Sequence, residues 1–497
     1  MLDSVSIICP GLFYSTSAFD GILSRIRTPG GILTFKQSRA VVDFSKQFGD
    51  GYIELTNRAN LQIRAIRASI PTEVLTILQE LGLAAKTAGV DHLRNIMSSP
   101  TAGIDPQQLI DTRPLVKALD EYISNCPELA QLSPKFSIGF DGGEAVSVSD
   151  RPNDIWFIAS KLNQTINYRL YLNVAKNQNI DTGILLQPEQ CLSYAIALFK
   201  VYLLAPKIET STGKKPRLRD LLEHWGVDWY LEQAQTHLSY RLRSHLNYYD
   251  RRGAEEQRSR GEKLTMRSSQ YRHIGVHPQR QPGLFYLGVV IPIGRLEAEQ
   301  LNRLADLSAI YGSGILRLTP WQNIIIPDIT DGNIANLQSE IEQLGLSTSV
   351  THPWGALVSC SGNTGCASSA TDTKSHALNL ARYLSQKITL DRPINIHFSG
   401  CPKSCAQHTA SDIALVGTTI QQGDRIVEGY RVYVGNSNQP FGRELYPPVE
   451  YTEIPTIIER MLQVYQTKRT SPNESFGEFA NRHNNIELKD LFAQSKI

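Results

Sequence analysis

The strongest constraint on the fold is a repeat that relates residues 20–70 to residues 283–327. Both segments predict a strand, a turn, a helix and a further pair of strands. At an offset of 263 positions, identical residues recur in the predicted turns, at the start of the helix and in the strand pair. The recurring pairs are Pro29/Pro292, Gly31/Gly294, Leu33/Leu296, Gly49/Gly312, Gly51/Gly314, Leu55/Leu318, Thr56/Thr319, Asn60/Asn323 and Ile63/Ile326. Two copies are too few for a solenoid, so we predict a duplicated chain with two pseudo-symmetric halves.

A weaker similarity extends the duplication. Residues 135–143 (KFSIGFDGG) and 394–402 (INIHFSGCP) both predict an alternating strand that ends at glycine. Only the later copy carries a cysteine at this point, so a cysteine-based site is expected in the second half alone.

Four cysteines in the second half form two short runs. Cys360 and Cys366 are spaced C-x5-C, Cys401 and Cys405 are spaced C-x3-C, and 34 residues separate the runs. Thiolates on glycine-rich loops ligate soft metal centres, and four of them match the ligand count of an iron–sulfur cube. A structural zinc ion takes the same number of thiolates, so both centres remain open.

Composition excludes several classes of protein. The chain has 497 residues and a formal net charge of +2, which gives no reason to expect binding to nucleic acid or to an anionic membrane surface. No run approaches the roughly 18 apolar residues of a membrane span, and the first residues lack the pattern of a signal peptide. Seven cysteines, four of them closely paired, favour a reducing compartment over a disulfide scaffold. We therefore expect a cytoplasmic protein.

The segment TNRANLQIR contains a run of alternating polar residues. If the whole segment is one strand, its polar side chains share a face, which would be either a solvent-facing side or a site for a molecule with several carboxylates. Basic and amide residues beside predicted turns could add to such a site, or be surface groups. The candidate residues are Arg58, Asn60, Gln62, Arg64, Arg94, Asn95 and Lys135.

Taken together, these motifs resemble those of the siroheme-type nitrite and sulfite reductases and their relative precorrin-3B synthase. The resemblance spans roughly residues 10–470 and rests on TNRANLQIR, LRNIMSSPTAGID, SPKFSI, HPQRQPG, LRLTPWQNIIIP and the two cysteine runs. It implies an α+β protein with the duplicated nitrite/sulfite reductase fold. That fold has two pseudo-symmetric ferredoxin-like (parachute) half-domains and two α/β domains, of which the second carries a 4Fe–4S cluster.

The resemblance also implies a division of the chain. The expected segments are a first half-domain (10–75), a cluster-free α/β domain (76–250), a polar linker or arm (251–270), a second half-domain (271–345), a cluster domain (346–470) and a polar, frayed tail (471–497).

Site roles follow from the same resemblance. Cys360, Cys366, Cys401 and Cys405 match the cluster ligands, and Cys405 matches the ligand that bridges to siroheme iron in the reductases. Arg58, Arg94 and Lys135 match basic residues around the tetrapyrrole carboxylates and the bound anion, and are the expected catalytic residues. The cofactor-binding set is Cys405, Arg58, Arg64, Gln62 and Asn95.

Two features favour precorrin-3B synthase within this family. The opening CPGLFYSTSAFDG is similar to the start of that enzyme, and Lys135-Phe136-Ser137 departs from the Lys-x-Lys or Lys-x-Asn of the reductases. Against this, the segment that begins LRNIMSSPTAGID and the run GCPKSCAQ are similar to ferredoxin-dependent nitrite reductases. We therefore expect a precorrin-3B synthase, with a siroheme-dependent nitrite or sulfite reductase as the alternative.

The synthase reading implies a monooxygenase of cobalamin biosynthesis that hydroxylates precorrin-3A at C20 with dioxygen and closes a γ-lactone. Its cofactors would be the 4Fe–4S cluster and a mononuclear non-haem iron, with electrons from ferredoxin or from an NAD(P)H-dependent reductase. The alternative reading keeps the 4Fe–4S cluster, adds siroheme as cofactor and takes six electrons from ferredoxin. A third reading, from another class, is an electron carrier or a zinc-stabilised binding protein.

Overall fold

The structure is a computed structural model that describes residues 10–14, 16–162, 164–175, 178–206, 208, 215–244, 271–407, 409–435 and 441–494. The expected linker, 251–270, lies outside the described residues. The chain divides into two compact units. The first unit is built mainly from Ile22–Gly288 and Glu297–Gln338, and the second mainly from Val289–Leu296 and Ser339–Ile497. The six segments expected from the sequence stay a prediction.

The described residues form an α+β protein with mixed sheets. The strands are β1 (Thr16–Ala18), β2 (Gly21–Ile26), β3 (Ile32–Thr34), β4 (Tyr52–Leu55), β5 (Leu61–Ile66), β6 (Ile96–Ser98), β7 (Ile138–Asp141), β8 (Ile155–Leu162), β9 (Thr165–Ala175), β10 (Gln178–Leu186), β11 (Arg243–Ser244), β12 (Gly275–Pro278), β13 (Leu284–Val289), β14 (Arg295–Glu297), β15 (Ile315–Leu318), β16 (Ile324–Thr330), β17 (Leu357–Ser359), β18 (Ile396–Ser399), β19 (Ile413–Gln422), β20 (Arg425–Val434) and β21 (Arg443–Glu450).

The helices are α1 (Phe35–Phe48), α2 (Thr72–Glu80), α3 (Arg113–Asn125), α4 (Cys191–Leu204), α5 (Leu218–Trp225), α6 (Val227–Thr236), α7 (Ala298–Tyr311), α8 (Ile334–Gln343), α9 (Thr373–Lys387), α10 (Ile454–Lys468), α11 (Phe476–Asn481) and α12 (Asn485–Gln494). In the part of the chain that the structure describes, no helix combines the length and apolar character that a bilayer span needs.

Helices α1 and α7 are the equivalent helices of the two repeats, and they begin in the same way. Thr34 caps α1 and forms a capping box with Gln37, while Glu297 caps α7 and forms a capping box with Gln300. Both boxes lie at the 263-residue offset of the sequence repeat. The predicted duplication is therefore confirmed down to the caps of these helices.

Backbone hydrogen bonds join the two repeats reciprocally within the first unit. The amide of Phe35 donates to the carbonyl of Gly314, and the amide of Ala298 donates to the carbonyl of Gly51, both at 2.8 Å. Strand β3 of the first repeat also pairs antiparallel with β15 of the second, in a sheet of order β12-β13-β16-β15-β3. The repeats thus form one structure by exchanging backbone partners.

Each half also contains a larger mixed sheet. In the first, strands β6, β7 and β8 run parallel and the order is β11-β10-β9-β8-β7-β6. In the second, strands β17, β18 and β19 run parallel and the order is β17-β18-β19-β20-β21. Both continue with antiparallel strands. The similarity between residues 135–143 and 394–402 corresponds to equivalent strands β7 and β18.

The expectation of a frayed tail after residue 471 is wrong. Helices α11 and α12 occupy most of this segment, and Ser475 forms a capping box with Glu478 at the start of α11. Phe476 and Phe479 are buried and pack against Tyr465 of α10, with ring centroids 5.4 and 5.6 Å away. These aromatic side chains bury enough apolar surface to fix the segment despite its polar composition.

Candidate functional site

Parallel strands bring the two cysteine runs together in the second unit. Cys360 directly follows the end of β17, and Cys401 comes two residues after the end of β18. Because β17 and β18 are parallel neighbours, their carboxyl ends lie at the same edge of the sheet. The amide of Cys360 donates to the carbonyl of Phe398 at 3.2 Å, which continues this pairing into the loops.

The Cys360 thiol lies in a tightly packed polar environment. Its sulfur accepts a hydrogen bond from the amide of Gly400 at 3.2 Å. The Thr373 hydroxyl donates to the Cys360 carbonyl at 2.9 Å and lies 3.5 Å from the sulfur. A Cβ atom on Gly400 would lie 1.7 Å from Ser369 Oγ, so this close approach of backbone to sulfur requires glycine.

Cys405 lies within electrostatic range of the other three thiols. Partial burial raises the pKa of Cys405, and negative charge on Cys401, Cys360 and Cys366 raises it further. Cys405 is the exposed member, whereas the other three thiols are half-buried. Four adjacent thiolates repel each other, so they are stable only with a positively charged centre among them.

Four thiolates are a suitable ligand set both for a structural zinc ion and for an iron–sulfur cube. Within the described ranges, no group of three or more Cys, His, Asp or Glu side chains is arranged to hold a metal ion. A zinc site draws its sulfurs to about 2.3 Å from one atom. A cube spreads its ligands over four irons.

The predicted polar strand is only partly a strand. Arg58 and Asn60 lie in the loop between β4 and β5, where the Thr56 amide donates to the Asn60 carbonyl at 2.9 Å. Ala59 has a φ of 53°, which no continuous strand can accommodate. The expectation that Arg58, Asn60, Gln62 and Arg64 share one strand face is therefore wrong for the first two.

Arg58 is held by a buried amide. Its Nη1 donates to Asn153 Oδ1 at 2.6 Å, and Asn153 is only 3% exposed. Trp321, which occupies the equivalent position in the second repeat, lies against the same segment: the Arg151 guanidinium sits 4.8 Å from its ring centroid. Both repeat loops therefore contact residues 151–153, and Arg58 has a fixed position.

Gln62 and Arg64 lie on β5 as predicted, but both side chains are buried. Gln62 accepts from Arg25 Nε at 3.1 Å and donates to Glu54 Oε2 at 2.9 Å. Glu54 and Gln62 of this row are buried, and Arg25 is half-buried. Gln62 therefore positions the sheet, and a direct cofactor contact by Gln62 and Arg64 stays a prediction.

The Arg94 side chain bonds to groups within the first unit. Its Nε and Nη2 donate to the two carboxylate oxygens of Asp120 at 2.8 and 2.9 Å, and Nη2 also donates to the Gly82 carbonyl. The side chain is 3% exposed, and bonding to Asp120 and the charge on Asp91 raise the pKa of Arg94 although burial opposes this. These contacts favour a structural role over the predicted catalytic one.

Asn95 and Lys135 remain accessible. Asn95 is half-buried and its Oδ1 accepts from Asn60 Nδ2 at 2.7 Å, so it joins the loop that carries Arg58. Lys135 is exposed in the turn before β7, with its carbonyl 3.5 Å from Arg217 Nη2.

Sequence reasoning missed three residues that contact the predicted site residues. They are Asn153 beside Arg58, and Thr373 and Gly400 beside Cys360. Gly400 could have been found, because it directly precedes Cys401. Asn153 lies 95 positions from Arg58 and carries no local signal of this contact.

Comparisons with known proteins agree with this architecture. Residues 20–81 and 277–344 match the family model "Nitrite/Sulfite reductase ferredoxin-like half domain", and residues 89–242 and 354–484 match "Nitrite and sulphite reductase 4Fe-4S domain". The range 354–484 contains Cys360, Cys366, Cys401 and Cys405 and no other cysteine. The cofactor of this domain is therefore a 4Fe–4S cluster, and the prediction of a structural zinc ion is wrong.

Similar proteins carry nitrite reductase names. The ferredoxin–nitrite reductase of Synechococcus elongatus is 30% identical over 91% of this chain and 88% of its own length. That of Leptolyngbya laminosa is 31% identical over 86% of this chain and 82% of its own length. The structure of the Mycobacterium tuberculosis NirA protein has a TM-score of 0.74 and 24% identity, covering 94% of this chain and 84% of that one. This structural similarity shows the fold alone.

These relatives overturn the expected precorrin-3B synthase activity. The similarity to ferredoxin–nitrite reductases extends over most of both chains, whereas the synthase reading rested on the opening residues and on Ser137. The prediction of a cobalamin-pathway monooxygenase acting on precorrin-3A is therefore wrong. The mononuclear iron was expected only for that chemistry, so there is no longer a reason to expect it. The chain belongs to the nitrite/sulfite reductase family.

Proposed function

We propose that this chain is a ferredoxin-dependent nitrite reductase that binds siroheme as well as its 4Fe–4S cluster. The observation that carries the proposal is the meeting of two cysteine runs at the ends of β17 and β18, inside a segment that matches the 4Fe–4S domain of this family. The relatives from S. elongatus and L. laminosa support nitrite as the substrate and ferredoxin as the electron donor.

The four cysteines would hold the cluster. Cys360 is fixed by Gly400 and Thr373, whereas Cys405 is the exposed thiol of the set. The exposed thiol is the one suited to reach a second centre, so we assign the contact with siroheme iron to Cys405. The chemistry that siroheme supplies when bound is electron transfer to an anion at its iron.

Residues of the first unit fit the carboxylates of a tetrapyrrole and the charge of nitrite. Arg58 is half-buried and fixed by Asn153, and its guanidinium suits bidentate binding of a carboxylate. Asn95 adds a half-buried amide in the same network. The ammonium group of the exposed Lys135 would attract the anion and donate a proton from Nζ.

Proton delivery is a large part of this reaction. Reduction of nitrite to ammonium takes up six electrons and eight protons and releases two molecules of water. Lys135 can supply one proton at a time and must be recharged from solvent, for which its exposure is suitable.

The test is anaerobic purification followed by a visible spectrum and a turnover assay. We expect a haem-like Soret band and formation of ammonium from nitrite with reduced ferredoxin, both lost in Cys405→Ser. Formation of sulfide from sulfite at the higher kcat/KM would instead assign the sulfite branch of the family. Absence of the Soret band from protein that contains four irons would overturn the proposal.

A further inference from the structure

A single carboxylate on a neighbouring strand holds the loop that carries two of the four thiols. This cysteine loop, residues 360–372, leaves β17 at Cys360 and ends at the cap of α9. Glu428 of β20 contacts the loop at two separate points. Its Oε1 accepts from Asn363 Nδ2 at 2.6 Å, and its Oε2 accepts from the amide of Asp372 at 2.9 Å.

The two contact points bracket the part of the loop that carries Cys366. Between them, the Asn363 amide donates to the Thr371 carbonyl at 2.9 Å, which closes residues 363–371 into a compact turn. The Ser369 amide donates to the Cys366 carbonyl at 3.0 Å inside that turn. Glu428 therefore attaches the closed turn to the sheet through both of its ends.

The same carboxylate also reaches the first turn of α9. His376 Nε2 lies 3.6 Å from Glu428 Oε2, while His376 Nδ1 lies 2.9 Å from the Tyr430 hydroxyl. The His376 ring stacks on Tyr451 at 3.4 Å between centroids. His376 therefore borders Glu428 Oε2, the oxygen that also accepts from the Asp372 amide at the start of α9.

We propose that Glu428 is a positioning residue for the cluster, which keeps Cys366 in register with Cys360 by fixing the 363–372 turn to β20. Both donors, an amide NH2 and a backbone N–H, need an acceptor, and a carboxylate offers one oxygen to each. Glutamine has the same shape but presents one NH2 group, which would face one of these donors. The proposal rests on the cysteine ligand set and is independent of the substrate.

The matched control is Glu444 on β21. It belongs to the same sheet, and its side chain is 37% exposed against 35% for Glu428. Its side chain accepts from Arg431 Nη1 at 2.9 Å and from the Tyr433 hydroxyl at 3.2 Å, and both of these partners lie outside the cysteine loop. Glu444→Gln therefore removes a comparable carboxylate without touching the turn.

The experiment compares anaerobically purified wild type, Glu428→Gln and Glu444→Gln by iron and sulfide content, by the rate of iron loss to a ferrous chelator, and by the electron paramagnetic resonance spectrum of the reduced cluster. We expect iron loss about tenfold faster in Glu428→Gln, because charge-assisted hydrogen bonds are lost, together with an altered spectrum. Glu444→Gln should behave as wild type.

A second variant keeps the test decisive if Glu428→Gln fails to fold. Asn363→Ala removes only the Oε1 contact, and we expect an intermediate rate of iron loss and a smaller spectral change. Wild-type rates and spectra in both folded variants would overturn the proposal. A wild-type protein without iron would instead contradict the cluster itself, so the two failures are distinguishable.

Discussion

The amide of Gly400 donates to the thiol of Cys360, with 3.2 Å between N and Sγ. This bond links the loop after β18 to the loop after β17, and therefore links the two cysteine runs. Hydrogen bonds to cluster sulfurs stabilise the reduced state and raise the reduction potential. The backbone that sets this bond has no space for a side chain, since a Cβ atom would lie 1.7 Å from Ser369 Oγ.

Gly400→Ala should therefore disrupt the cluster site. Relief of the clash requires movement of either the Ser369 segment or the Cys401 loop, and overpacking of this kind costs about 1–3 kcal/mol. We expect most of the iron to be lost while the first unit stays folded. Iron content and thermal unfolding measure this, with Gly332→Ala as the control, because no atom lies within 4 Å of a Cβ there and its φ is not in the left-handed region. Full iron content in both variants would show that the site tolerates a side chain at position 400.

Arg58→Ala should weaken tetrapyrrole binding and leave the cluster intact. Loss of a charged hydrogen-bond donor costs about 1.5–3 kcal/mol, or roughly tenfold or more in affinity. The ratio of the Soret absorbance to iron content reports this directly. Arg67→Ala is the control, since Arg67 is exposed just after β5. An unchanged ratio in Arg58→Ala would remove Arg58 from the binding site.

Lys135→Met should lower nitrite turnover without loss of siroheme or cluster. A positioned proton donor contributes about 100-fold or more to rate, so we expect kcat to fall by about that factor. Turnover and anion affinity are measured separately, with Lys117→Met as control because the Lys117 side chain is 81% exposed on α3. A kcat equal to that of the control would show that protons arrive by another route.

Local patterns predicted the elements of the repeat but not the loop that carries Arg58. The alternation in TNRANLQIR fits a strand, yet the hydrogen bond from the Thr56 amide to the Asn60 carbonyl turns the chain at Ala59. The equivalent loop turns at Gln322, with φ 61°. The second copy does carry a signal of this turn, because Pro320 stands where the first copy has Asn57, and proline favours the second position of a β-turn.

The mistaken function rested in part on Ser137, whose side chain does not point to solvent. Its hydroxyl donates to Asp154 Oδ2 at 3.0 Å, its amide donates to the same oxygen at 2.9 Å, and the residue is 1% exposed. Arg217 Nη2 bonds the other oxygen of Asp154 at 2.8 Å. Because Ser137 is enclosed in this way, its identity does not indicate whether protons are delivered to a bound anion. Sequence alone could not show that Asp154, 17 positions away, binds it.

The last prediction concerns Glu144, a carboxyl buried in the first unit. Glu144 is 4% exposed, and its Oε2 accepts from the Gly142 amide at 2.7 Å. In the described part of the chain its Oε1 has no hydrogen-bond partner. Burial raises the pKa of Glu144 well above its ordinary value of 4.5, and the charge of Asp141 raises it further.

A raised pKa makes the stability of the first unit depend on pH. Between the unfolded pKa and the higher folded pKa, the folded state binds more protons than the unfolded state, so the free energy of unfolding falls as pH rises. Glu144→Gln removes this titration and keeps an oxygen for the Gly142 amide. Each unit of pKa difference corresponds to about 1.4 kcal/mol. We therefore expect the variant to gain stability relative to wild type as pH rises above about 4.5, the ordinary pKa of the group. Thermal unfolding as a function of pH measures the gain, with the exposed Glu121→Gln as control. Parallel curves for Glu144→Gln and wild type would show that Glu144 titrates alike in both states.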